Sequence, residues 1–240
     1  MNRQDELMTD EIPLTSKGVG LLNEKPLHAS LKAWYAQPGD CFEVGVDGSV
    51  IDIVRGELLV EIQTRSFSAL KRKLEKLVVS HTVRLVYPIA AKKWIVRLSD
   101  DGTVEQGRRK SPKHGAVTEL FRELVSFPHL ISHPNFSLEV LLIQEEEVRQ
   151  QGLARNWRRR GWGTVERRLL NVVDRRLFAT PADLAALIPA SLEEPFTTAG
   201  LADAIHQPRW LAQKMTYCLR SAGAIAEAGK QGKATRYVRG

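Results

Sequence analysis

The sequence predicts an α/β chain in two parts: a mixed sheet flanked by helices, then a small C-terminal unit of helix, turn, helix and hairpin. Three observations predict it. Two stripes at helical spacing, Leu27, Leu31, Trp34 and Tyr35 and then Phe67, Leu70, Leu74, Leu77 and Val78, bracket three short runs broken by Asp47-Gly48 and Arg55-Gly56. Runs of strand length follow the second stripe at 83–87, 94–98 and 138–143. Near the C-terminus, Thr197 and Thr198 precede a short helical segment, His206-Gln207-Pro208 interrupts it, and a longer amphipathic segment leads into a glycine-rich hairpin.

Taken in order, residues 1–20 read as a flexible N-terminus. The first helix is expected over 26–36, because Pro26 suits an initial turn and Gln37-Pro38-Gly39-Asp40 cannot continue it. Residues 41–46, 50–54 and 58–63 then form a three-stranded meander, and the second helix and two further strands complete an α-βββ-α-ββ order. A basic loop spans 107–115, a helix 117–125 and a last strand 138–143, so the first domain is expected over 21–147. Residues 148–179 read as a basic linker and helix, since Leu169, Leu170, Val173 and Leu177 recur at helical spacing beside Arg167, Arg168, Arg175 and Arg176. Residues 180–240 form the C-terminal unit.

Composition narrows the function classes. A formal charge of +7 favours a polyanionic partner over an acidic metabolite, and nucleic acid is the leading candidate. The two cysteines, Cys41 and Cys218, lie too far apart in sequence to suggest a disulfide framework or a cysteine zinc site. Cys41 reads as a small buried apolar residue. No apolar run approaches the roughly 18 residues of a membrane span, and the polar start lacks an apolar leader, so the expectation is a cytoplasmic protein off the membrane.

In the C-terminal unit, Leu211, Met215, Cys218 and Leu219 form the expected buried stripe of the longer helix, leaving Arg209, Gln213, Thr216 and Arg220 opposite. Arginine and glutamine can read base edges, and Lys230 and Lys233 of the hairpin suit phosphates. Residues 180–239 resemble the winged-helix family. That resemblance implies duplex DNA as partner, or a protein, since many winged helices bind proteins.

The chemistry-bearing segment is 50–63. Asp52 lies between Ile51 and Ile53, Glu61 between Val60 and Ile62, and Gln63 shares a face with Glu61. Two carboxylates placed together by a hairpin suit Mg²⁺ or Mn²⁺, which lowers the pKa of bound water and polarises a phosphodiester. The other reading makes them ordinary polar positions of a half-exposed sheet. At these residues the chain resembles the PD-(D/E)xK nuclease superfamily over 21–98, which implies a restriction-endonuclease-like sheet. The resemblance makes Asp52 and Glu61 metal ligands and puts Gln63 where the catalytic lysine usually stands. It makes Glu24 an additional helix glutamate and leaves Lys71 or Lys73 of the second helix to supply the missing charge. Glu43 is a spare ligand candidate. The whole chain is also similar to an uncharacterised bacterial family that pairs this Glu61-Ile62-Gln63-Thr64 strand with such a C-terminal segment, and that family brings no known activity with it.

Other constellations carry less. His129 and His133 have metal-helix spacing, but Pro128 and Pro134 bracket them, and Gly18-Val19-Gly20 lacks the remainder of a nucleotide loop. Arg108, Arg109 and Lys110, with Arg158 and Arg159, are candidate phosphate contacts. The expected function is a Mg²⁺-dependent DNA endonuclease or repair-type nuclease. Its alternative is a non-catalytic DNA-binding or regulatory protein on a nuclease-like scaffold. DNA is the expected partner, and a homodimer is an open assembly state.

Overall fold

The computed structural model describes residues 25–152 and 161–240. Glu24, Arg158, Arg159 and the N-terminus expected to be flexible lie outside them. Helix α1 (Pro26–Tyr35) begins on a proline whose missing N–H belongs to the first turn, and buries Leu27, Leu31 and Tyr35. Strands β1 (Cys41–Val46), β2 (Ser49–Arg55) and β3 (Leu58–Ile62) form the antiparallel meander. Helix α2 (Lys71–Leu77) carries the chain over to β4 (Thr82–Leu98), which lies parallel to β3, with Glu61 opposite Leu85.

Beyond this point the strands are longer than the sequence suggests. The two runs at 83–87 and 94–98 are one strand, β4. Val86 carbonyl accepts from Gln63 N–H, so alternation turns the proline nitrogen of Pro88 to the same side, past the end of β3, where no ladder bond is lost. Strand β5 (Glu105–Lys110) pairs with the far half of β4, which corrects the expected loop at 107–115. The helix expected at 117–125 is a 3-10 turn followed by the single-turn α3 (Phe121–Leu124). Strand β6 (Phe136–Gln150) is parallel to β4, and β7 (Gly163–Phe178) pairs antiparallel with it at the sheet edge.

Strand β7 replaces the helix expected within 148–179. Its register against β6 slips three times, at Val173, Leu170 and Val165, each slip adding one residue. Every such bulge resets the period-two alternation, and the resulting mixture of spacings imitates a helical stripe. The arginines of this stretch therefore belong to a strand of the large sheet rather than to a linker.

The C-terminal unit contains the expected helix, turn, helix and hairpin, with a helix and a short strand ahead of them that the sequence reading did not include. Helix α4 (Pro181–Ala185) starts in a reciprocal capping box between Thr180 and Asp183. Strand β8 (Phe196–Thr197) leads into α5 (Thr198–Ala204), capped by the Thr197 side chain, and α6 (Arg209–Ser221) follows the turn. Strands β9 (Ile225–Gln231) and β10 (Ala234–Arg239) close the hairpin around Gly232-Lys233, a tighter turn than the five residues expected, with β8 against β10.

Two apolar layers cover the large sheet. On one side Phe67, Leu74, Leu77, Leu85, Phe127 and Phe136 join Leu211, Met215 and Leu219 in a single core that runs unbroken from sheet to α6. On the other, α1 packs Leu27 and Leu31 on Ile53, Val60 and Ile62. No helix among the described residues is long and apolar enough to cross a membrane.

Candidate active site

Cross-strand register assembles the site. With Phe42 opposite Ile53 and Val44 opposite Ile51, Glu43 faces Asp52; with Ile53 opposite Val60, the same row continues to Glu61. Three carboxylates thus stand abreast on three adjacent strands. Glu43 has a left-handed backbone, φ 52°, so β1 is kinked at this row.

Strands β2 and β3 hold ladder register only as far as Ile53 and Val60. Past that pair the Asp52 side chain bridges them, Oδ2 accepting from Ile62 N–H at 2.7 Å. Oδ2 also lies 3.2 Å from His28 Nε2 of α1. One turn further along α1, Lys32 pairs with Glu43. On the opposite side α2 sends Lys73 to Glu61, with Lys73 Nζ also donating to Val50 carbonyl at 2.5 Å. Each acid in the row therefore has a base from a covering helix.

The two central carboxylates are pushed in opposite directions. Burial and the neighbouring Asp52 charge raise Glu61 to about 7, against the pull of Lys73. Burial also acts upward on Asp52, but the His28 hydrogen bond and charge, with Ile62 N–H, outweigh it and hold this carboxyl below the usual range. The row can thus present one ionised carboxylate beside another that ionises near neutrality. Paired titratable groups split in this way are common where chemistry is done.

For a hard divalent cation, Asp52 and Glu61 supply oxygen donors, and a cation between them would relieve the repulsion that raises Glu61. Among the described residues no three His, Cys, Asp or Glu side chains converge as a metal cage. Two protein carboxylates with water and substrate oxygens completing the shell is nevertheless a usual arrangement for Mg²⁺.

Several expected site residues are placed differently from the sequence reading. Gln63 turns its amide to Ser66 carbonyl at 3.0 Å. Lys71 faces outward, 4.0 Å from Glu75, so of the two helix lysines only Lys73 reaches the row. Glu43 is present beside Asp52 but engaged by Lys32. His129 lies 3.3 Å from Glu75, while His133 Nδ1 accepts from Asn135 N–H, so the histidines serve separate partners. Cys41 is exposed rather than buried, because the outer strand β1 leaves it uncovered; Cys218 is buried in α6. His28 and Lys32 were missed by sequence reasoning, although their one-turn spacing beside the apolar stripe of α1 was a readable signal.

Of the expected DNA contacts, Arg109 and Lys110 are exposed on β5, while Arg108 stacks on Trp94 and pairs with Glu146 at 2.5 Å. On α6, Arg209 and Gln213 are exposed, and Arg220 is drawn to Glu227 at 2.5 Å. Thr216 is buried, donating to Gln213 carbonyl, because the core covers a wider arc of the helix than the apolar stripe implies. Its expected place on the outer face is taken by Trp210 and Tyr217, both exposed. Lys230 and Lys233 are exposed on the hairpin.

The chain belongs to the family described as Domain of unknown function (DUF8091), whose model matches residues 25–179. It is similar to an "Uncharacterized protein" of Treponema pallidum (strain Nichols), 32% identical over 185 residues, 77% of this chain and 73% of the relative. No solved structure matches it.

Proposed function

We propose that this protein is a metal-dependent nuclease of the PD-(D/E)xK kind acting on DNA. The observation that carries the reading is the reach of Lys73 from α2 to Glu61, beside Asp52. It supplies from the following helix the positive charge that Gln63 lacks. The surrounding order of one helix, three antiparallel strands, a second helix and a strand parallel to the third supports a restriction-endonuclease-like sheet.

In this reading Asp52 and Glu61 hold Mg²⁺ or Mn²⁺, which supplies a polarised phosphodiester and an acidified water. His28 and Ile62 N–H keep Asp52 ionised and oriented. Lys73 Nζ stabilises negative charge developing on the phosphoryl oxygens. The C-terminal unit is then a winged helix, with Arg209, Gln213 and the exposed aromatics of α6 toward DNA and Lys230 and Lys233 of the hairpin toward phosphates.

Incubating supercoiled, linear and single-stranded DNA with the protein in Mg²⁺, Mn²⁺ or EDTA, beside Glu61→Gln, tests it. Cutting that requires metal and vanishes in the variant is the expected result. DNA binding that is equal in both proteins, with no cutting in any metal, would instead make the α/β part a scaffold for a DNA-binding regulator.

A further inference from the structure

A pocket of about 230 Å³ opens over Tyr87–Ala90 of β4. Four cations line it, Lys93, Lys113, Arg122 and Arg167, against two carboxylates, Glu119 and Glu123. The cations fall into two sorts. Lys93 is held between Glu145 and Glu147, each at 2.9 Å, and Arg167 by Glu145 at 2.5 Å, with Glu145 fully buried between the two cations. A buried carboxylate costs stability unless paired, so this arrangement locks both cations in place.

Lys113 and Arg122 stand at the rim, only loosely held by Glu119 at 3.8 and 4.0 Å, with side-chain exposures of 66% and 43%. Contacts of that length restrain little, so both side chains are available to a bound anion. Backbone packing sets the rim. Gly115 approaches β4 so closely that a Cβ there would lie 2.6 Å from Ala90 carbonyl, and Gly115 N–H donates to that same carbonyl, pinning the loop that carries Lys113.

The pocket also adjoins both parts of the proposed machinery. Tyr87 and Ile89 follow Leu85, the partner of Glu61, on the same sheet face. At the usual strand rise and spacing they lie about 8–14 Å from Glu61, which is about two to four nucleotides of rise along one strand. At the other wall, Arg122 lies over the Trp210 ring and its carbonyl accepts from Lys214 of α6.

We propose that this pocket is a phosphate-binding site. Resting on the nuclease reading, we take its ligand to be a backbone phosphate of the nucleic-acid strand that passes between α6 and the carboxylate row. The test is titration of the full-length protein with inorganic phosphate in EDTA, at ionic strength held constant with chloride, and separately with a fluorescent DNA duplex followed by anisotropy. We expect saturable phosphate binding that weakens at least tenfold in Lys113→Glu and in Arg122→Glu and is unchanged in Arg72→Glu, a charge reversal at an exposed position of α2, with duplex affinity falling in the same two pocket variants. Lys113→Ala, a truncation at an exposed position, is expected to show a smaller loss of both if a charge reversal fails to fold.

No saturable phosphate binding by the wild-type protein, or equal binding by all variants, would overturn the site. Loss of phosphate binding in Lys113→Glu with unchanged duplex affinity would overturn the nucleic-acid ligand and make a free phosphate the occupant. Because these readings need no catalysis, a protein that binds as expected yet cuts nothing sinks the nuclease reading and leaves the phosphate site standing.

Discussion

Lys73 and Glu61 lie in contact across the β3–α2 interface, with Lys73 also tied to the Val50 carbonyl of β2. A lysine held between two strands in this way marks where the hairpin opens. Its neighbour Lys71, two residues earlier, points to solvent and Glu75. We expect Lys73→Met to reduce nuclease activity about 100-fold or more, the scale seen when one preorganised charge donor is removed. Lys71→Met is expected to leave activity within a factor of two, and equal loss from the two substitutions would refute the assignment.

Glu61 is held near pH 7, well above the ordinary 4.5 of a glutamate, so the folded state binds its proton more tightly than the unfolded chain. Its ionisation costs nothing below pH 4.5, where both states are protonated, and the cost grows as pH rises from 4.5 to 7. It is complete above 7. Glu61→Gln keeps an oxygen for Lys73 and removes this charge, so in EDTA at pH 8 we expect the variant to be more stable by about 2 kcal/mol. Near pH 4.5 the two proteins should converge. Urea unfolding at both pH values checks this, and a variant less stable than wild type at pH 8 would contradict it.

Glu147 behaves in the opposite sense. Burial alone would raise it, but hydrogen bonds from Arg149, Lys93 and Thr164 outweigh burial and hold it at about 2. Its contribution is fully present above pH 4.5 and is lost as pH falls through 2. Glu147→Gln is therefore expected to cost about 2–3 kcal/mol at pH 7 and far less at pH 2. A destabilisation independent of pH would show that packing, not charge, is the cause.

Gly115 has no room for a side chain, whereas nothing lies within 4 Å of a Cβ placed on Gly107. We expect Gly115→Ala to lower stability by about 1–3 kcal/mol and to weaken phosphate binding through displacement of Lys113. Gly107→Ala should be close to neutral in both thermal unfolding and phosphate titration, and equal effects from the two would remove the steric argument.

Local signals determined a good part of this protein. The proline start of α1, the turns at Asp47-Gly48 and Arg55-Gly56, the Leu74 and Leu77 positions of α2 and the Thr197 cap each depend on residues within a turn or two, and each lies where the pattern puts it, while Phe67 and Leu70 of the expected stripe fall in a 3-10 turn ahead of α2. Asp52 and Glu61 were legible for the same reason, since a tight hairpin fixes which residues face each other.

Tertiary structure decided the remainder. Residues 163–178 are a strand because β6 offers a partner along its whole length, and three bulges conceal the strand period from any reading of the sequence alone. The choice of Lys73 over Lys71, the pairing of His28 with Asp52 in particular and the burial of Thr216 depend on which elements pack together, a long-range choice that local spacing can suggest but not decide. The four cations of the pocket come from β4, the 111–116 loop, α3 and β7, and only the folded sheet brings them to one opening.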